Sequence, residues 1–117
     1  MIIINLNHYW FGRHSMLIVI TSQNRRHITP HAGKCRKFWK YELKDGEVTD
    51  KQLIEVEKEQ SFSQSGEVLE KLLPMDIFVT TGMGDRLREK LRNIGVHVMV
   101  TAEIEPEQFI CSLISAK

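Results

Sequence analysis

Asp76-Ile77-Phe78-Val79-Thr80-Thr81-Gly82-Met83-Gly84-Asp85 is the stretch that decides the fold. Ile77-Phe78-Val79 is a short unbroken apolar run, as expected of a strand buried on both faces. It leads directly into a glycine-bearing turn. Leu87, Leu91 and Ile94 follow at helical spacing, with Asp85 as the expected N-cap and Gly95 as the stop. Val96-His97-Val98-Met99-Val100 then reads as another buried strand, with His97 in a structural role. Strand, helix and strand in this order favour a parallel pair joined by a crossover helix.

Toward the N-terminus, Leu17-Ile18-Val19-Ile20 is a second unbroken apolar run and a natural sheet neighbour of 77–80. Phe38, Tyr41 and Leu43 lie near strand spacing, and Asp45-Gly46 is a strong hairpin signal. Val48–Val56 continues as a strand whose acids suit a sheet edge. Lys58–Ser65 is a polar loop. Val68, Leu69, Leu72 and Leu73 then share one helical face, with Ser65 as the expected N-cap and Pro74 ending the helix. Pro106 suits the first turn of a last helix whose apolar face is Phe109, Ile110, Leu113 and Ile114. The expected order is β β β α β α β α, an α/β class whose first three strands are antiparallel. There is no internal repeat or linker, and 117 residues suit one domain. Met1–Ser15 has no clean period, so residues 1–15 read as an N-terminal extension, disordered or a short extra edge strand. The domain proper is expected over 16–117.

Composition is ordinary for a globular chain, 42% hydrophobic and 26% charged, with a net charge of +1. The charge is unevenly spread. Arg25, Arg26, Lys34, Arg36, Lys37 and Lys40 fall in a block with His27 and His31 and no acid, while Glu42 to Glu59 is acid-rich. The basic block either attracts an anion or is a solvated loop beside a solvated acidic strand. Cys35 and Cys111 make neither a disulfide framework nor a CxxC motif. No run approaches the roughly 18 apolar residues of a membrane span, and the N-terminus makes a poor signal peptide. A cytoplasmic protein with reduced thiols is the expectation.

Ligands of open α/β sheets collect beyond the carboxyl ends of the strands. If the strands at 17–21 and 77–80 are parallel neighbours, the loop Ser22–Cys35 and the turn Thr81–Asp85 share one rim. His31 and Cys35 would then face a helix N-terminus, with Arg86 and Arg88 adding charge. His31 and Cys35 are both metal-ligand types but do not complete a zinc site. His27 and Met83 are auxiliary candidates. Taken alone, these residues favour a solvent-exposed loop histidine and a small buried cysteine at the strand entry. Phe38, Trp39 and Tyr41 beside Lys37 and Lys40 could stack on nucleic acid, but alternation between core and surface explains them better. Thr81-Gly82-Met83-Gly84 lacks the lysine and spacing of a Walker loop. Nothing indicates a catalytic triad around Cys35.

Four motifs stand in a recognisable order: Thr29-Pro30-His31-Ala32-Gly33-Lys34-Cys35, then Asp45-Gly46-Glu47-Val48, then Thr80-Thr81-Gly82-Met83-Gly84, then Ile94-Gly95-Val96-His97-Val98. Together they resemble the dinitrogenase iron–molybdenum cofactor biosynthesis family, which includes NifX, the NafY core and the C-terminal domain of NifB. The resemblance covers Met16 to about Lys117. It implies a ribonuclease H-like three-layer α/β fold with a mixed five-stranded sheet in order 3-2-1-4-5. It further implies a non-enzymatic protein that binds or carries iron–molybdenum cofactor, or an iron–sulfur precursor, during nitrogenase assembly. Nitrogenase or cofactor-assembly proteins would be its partners, with no role for nucleic acid or membrane. His31 matches the family's loop histidine and is the implied metal ligand, with Cys35 as a second. Gly82, Met83 and Gly84 match the glycine turn and would line the floor. Arg25, Arg26, Lys34 and Arg36 would offset the cluster's charge. Pro30 and Ala32 stand where the family usually has Gly and Phe. Thr81 replaces the first glycine of the turn, and Ser61–Ser65 occupies the place of a histidine-rich loop. A protein-interaction module without a cluster is the alternative. Nuclease activity is not expected: two-metal nucleases need clustered carboxylates, Leu17–Ser22 has none, and Asp76 sits at the wrong end of its strand.

Overall fold

In a computed structural model, residues 15–57, 60–62 and 66–115 are described. The expected N-terminal extension lies outside the described residues except for Ser15, and so does the expected Ser65 cap. Among the described residues, nine elements follow in order. They are β1 (Met16–Thr21), a 3₁₀ turn (Ala32–Lys34), β2 (Lys37–Lys44), β3 (Glu47–Glu55), α1 (Glu67–Leu72), β4 (Ile77–Thr80), α2 (Asp85–Asn93), β5 (His97–Val100) and α3 (Pro106–Ser115).

One mixed sheet runs β3-β2-β1-β4-β5. β1 and β2 pair antiparallel, with Met16 opposite Leu43 and Thr21 opposite Phe38. β2 and β3 form a hairpin, closed at Asp45-Gly46, where φ is +54° and +81°. Two positive φ values give the primed turn that matches strand twist, and an Asp-Gly pair supplies them at low cost. β1 is parallel to β4, and β4 to β5. The α/β class and the strand order expected from the resemblance are both present.

The unbroken apolar runs are explained by burial on two sides. Ile18, Ile20, Ile77 and Val79 face a core with Tyr41, Leu43 and the α3 residues Phe109, Ile110 and Leu113. Val19 and Phe78 face the opposite core, with Phe38, Val68, Leu72 and Leu91 from β2, α1 and α2. Alternate residues of one strand therefore anchor helices on both faces. β3 is almost wholly exposed, as its acids require.

Two local expectations need correction. His97 is exposed rather than structural: β5 is the outermost parallel strand, and of its residues only Val98 is buried. Gly84, not Asp85, caps α2, and no side chain bonds the cap. Asp85 is the first helical residue, where a carboxylate favours the helix dipole.

Three polar side chains tie the layers together. The Tyr41 ring is fully buried, and its hydroxyl donates to Glu107 Oε2 of α3 at 2.8 Å. Lys51 Nζ reaches the same carboxylate at 2.7 Å and lies 4.4 Å from the Trp39 ring centroid. On the other face, Lys40 Nζ donates to the Leu72 carbonyl at 2.9 Å, satisfying an orphan acceptor at the end of α1. Burial pushes the Lys40 ammonium below its ordinary range.

Burial, then the Glu107 carboxylate, push the Tyr41 phenol well above its ordinary 10.0. A raised folded-state value means that the stabilisation is complete below the unfolded-state pKa and is lost as pH rises beyond it. Tyr41→Phe is expected to cost about 1.5–3 kcal/mol at neutral pH, the worth of a hydrogen bond to a charged group. Above about pH 10 the wild type should lose stability more steeply than the variant. Urea unfolding of both proteins at pH 7, 9, 10 and 11 measures the difference.

Candidate functional site

Because β1 and β4 are parallel neighbours, the loop after β1 and the turn after β4 leave the sheet at the same rim. Hydroxyls at the ends of the two strands lock them together. Thr21 Oγ1 lies 2.6 Å from the Thr29 carbonyl and 2.9 Å from Thr80 Oγ1. Thr80 Oγ1 lies 2.9 Å from the same carbonyl and 3.1 Å from the Gly82 carbonyl. Each hydroxyl has one proton, so these are alternative donors within one buried network. Backbone bonds extend it: Thr29 N to the Thr21 carbonyl at 3.0 Å, and Ala32 N to the Gly82 carbonyl at 3.1 Å.

Gly82 is where loop and turn touch. A Cβ there would stand 3.2 Å from Pro30 Cβ. Gly82→Val is expected to push Pro30 away and break the Ala32–Gly82 hydrogen bond, costing about 1–3 kcal/mol as an overpacking change. Hydrogen exchange should then speed up at the Ala32 amide while β1 and β4 amides keep their protection.

The pinned loop presents His31 at its tip. Its φ is +61° and ψ +50°, the left-handed region. Histidine visits this region more readily than most residues, but the conformation is still uncommon outside glycine. His31 is exposed and begins the 3₁₀ turn, whose Lys34 N–H donates to the His31 carbonyl at 2.9 Å. A cleft of about 460 Å³ lies below it, lined by Gln23, Thr29, Pro30, His31, Lys34 and Cys35.

Cys35 is only 3% exposed, and its thiol donates to the Lys37 carbonyl at 3.0 Å. Burial pushes that thiol above its ordinary range. A thiol must lose its proton to ligate a metal, so Cys35 becomes a ligand only by leaving this bond. The other candidates divide. Lys34 shares the cleft and forms no ion pair among the described residues. Arg36 is not in the cleft wall; its backbone N–H donates to Gln23 Oε1 at 2.8 Å. Arg25 is engaged elsewhere, its Nε lying 3.2 Å from Glu55 Oε2. His27 faces Glu105 at 3.5 Å and Asn24 at 3.2 Å. Met83 packs against the helix-side core, and Gly84 borders a neighbouring cleft. Among the described residues no group of three or more His, Cys, Asp and Glu could hold a bare metal ion. Asp76 sits at the opposite end of the sheet, its carboxylate accepting from Leu17 N at 2.7 Å.

Thr21, Thr80, Thr29 and Gln23 were not candidates from sequence. A usable signal existed, since Thr21 and Thr80 each end an apolar run at the carboxyl end of a strand expected to be parallel to the other.

The family model described as dinitrogenase iron-molybdenum cofactor matches residues 14–116. The chain belongs to the dinitrogenase iron-molybdenum cofactor family. Solved structures share the fold of this chain. A crystal structure of a candidate dinitrogenase from Methanocaldococcus jannaschii superposes with a TM-score of 0.69 at 13% identity, covering 86% of this chain and 89% of that one. The solution structure from the same organism gives 0.68 at 13% identity, covering 86% and 88%. The crystal structure of PH0822 gives 0.70 at 23% identity, covering 87% and 91%. No curated protein matches the chain in sequence. No helix among the described residues is long and apolar enough to cross a membrane.

Proposed function

We propose that this protein is a non-enzymatic carrier on a ribonuclease H-like scaffold. Its cargo is an anionic metal cluster, iron–molybdenum cofactor or its iron–sulfur precursor. It binds at the His31 cleft and passes to nitrogenase or cofactor-assembly proteins in the cytoplasm. One observation carries the reading: an exposed imidazole in a left-handed backbone conformation, on a loop bonded through Thr29 to the strand-end hydroxyls and through Ala32 to Gly82, beside an open cleft. Such placement costs stability and gives nothing back in packing, which suits a ligand-presenting role.

The chemistry of the donor set fits a preassembled cluster better than a free ion. A cluster arrives with most coordination positions filled and needs one or two protein ligands. His31 supplies the first, and Cys35 is the reserve ligand four residues on. Lys34 beside the imidazole offsets negative charge, with Arg36 and Arg26 nearby in sequence. The Gly82–Gly84 turn supports the cleft from behind, through the Gly82 contact with Pro30.

The test is anaerobic incubation of the full chain with isolated cofactor or precursor, followed by desalting. The expected result is iron retained on the protein with a visible absorbance band. A protein that emerges without iron removes the carrier reading and leaves an interaction module that binds no cluster.

A further inference from the structure

A second cleft, of about 370 Å³, lies on the other side of the same 3₁₀ turn. Gly33, Phe62, Gly84, Arg86, Leu87 and Lys90 line it. We propose that it is a binding site for a small organic anion: an aromatic or aliphatic body carrying a carboxylate or phosphate head. Three observations converge on that chemistry.

The first is charge. Arg86 and Lys90 stand four residues apart on α2 and so share one face of the helix. Like charges at this spacing repel each other. Neither forms an ion pair among the described residues, although Asp85 and Glu89 lie on the same helix. Two unneutralised cations beside one hollow suit an anion held by charge-assisted hydrogen bonds.

The second is the apolar wall. Phe62 comes from an irregular segment, yet its ring is fixed by edge-to-face contacts with Phe38 at 6.1 Å and Phe78 at 5.8 Å. Leu87 leans on the same core. The cleft therefore has a packed, largely apolar floor next to its cationic rim, the usual makeup of a small-molecule site. A bare inorganic ion would leave that floor uncovered.

The third is steric room. Neither Gly33 nor Gly84 has any neighbouring atom within 4 Å of where a Cβ would stand. The backbone on both sides of the cleft is therefore open to close approach.

The two clefts border the Ala32–Lys34 turn and the Gly82–Gly84 turn but have no lining residue in common, and the second is lined by no His, Cys, Asp or Glu. Its occupancy is thus independent of the cluster reading. The test uses the metal-free full chain, titrated with phenyl phosphate and followed by amide chemical shifts. Saturable shifts at Gly33, Gly84, Arg86 and Leu87 are expected, with inorganic phosphate and benzyl alcohol binding at least about tenfold more weakly. The double substitution Arg86→Gln, Lys90→Gln should weaken phenyl phosphate by at least about tenfold without changing the thermal midpoint downward, because it removes a like-charge pair. The proposal is overturned if shifts do not saturate, if they scatter over unrelated lysines, if inorganic phosphate binds as tightly, or if the double variant binds unchanged.

Discussion

Phe78→Ala is expected to destabilise the fold by about 3–5 kcal/mol, the range for truncating a fully buried aromatic ring. Phe78 is completely buried on β4, an interior strand, at one corner of a triangle of rings with Phe38 and Phe62. It meets Phe62 edge-on at 5.8 Å and Phe38 at a tilt at 6.4 Å. Removing it opens a cavity and deletes both ring contacts, and neither Val19 nor Val98 can collapse fully into the gap because each is fixed in its own strand. A folded protein of this size has on the order of 5–15 kcal/mol in hand, so the loss is a large fraction. The thermal midpoint should fall by roughly 10–20 °C. Calorimetry of the two proteins measures it. A fall of only a few degrees would mean that the helix-side core is not packed around this ring.

His31→Ala is expected to lower cluster affinity by at least about tenfold to a hundredfold, since even changing a residue behind a metal ligand has that effect. The backbone complicates this test, because alanine disfavours the left-handed conformation at φ +61°. His31→Gly separates the two effects. It removes the imidazole but relieves the backbone, so it should be more stable than His31→Ala by roughly 1 kcal/mol. If the cluster is held by the ring, both variants lose binding equally. Binding retained by His31→Gly would mean that the loop's shape, not its imidazole, is what matters. Anaerobic iron retention and urea unfolding of both variants supply the two readouts.

Much of the fold was legible because unbroken apolar runs and helical spacing are strong local signals. Leu17–Ile20 and Ile77–Val79 read as strands covered on both sides, and the acids of 47–55 as an edge. The rim shared by the two loops followed once those two strands were neighbours. What escaped were properties set by neighbours distant in sequence. His97 looked interior because its neighbours are apolar, yet it sits on an outer strand that α3 does not cover there. Cys35 read from its own residues as a small buried cysteine, and it is buried; what the sequence did not show is that its thiol donates to the Lys37 carbonyl, which stands against the ligand role that the resemblance implies. Arg25 looked available until β3 brought Glu55 beside it. Met83, an auxiliary ligand candidate, is a turn residue whose partly buried side chain packs against the helix-side core. The threonines were overlooked because a hydroxyl at a strand end is common, and only the parallel pairing of β1 with β4 makes two of them a lock.

The most direct measurement of the central claim is pulsed electron paramagnetic resonance on cluster-loaded protein labelled with ¹⁵N histidine. If His31 ligates the cluster, the spectrum shows a ¹⁵N hyperfine coupling that survives His27→Ala and His97→Ala and disappears in His31→Ala. A coupling that persists without His31, or a loaded wild type with no nitrogen coupling at all, contradicts the assignment.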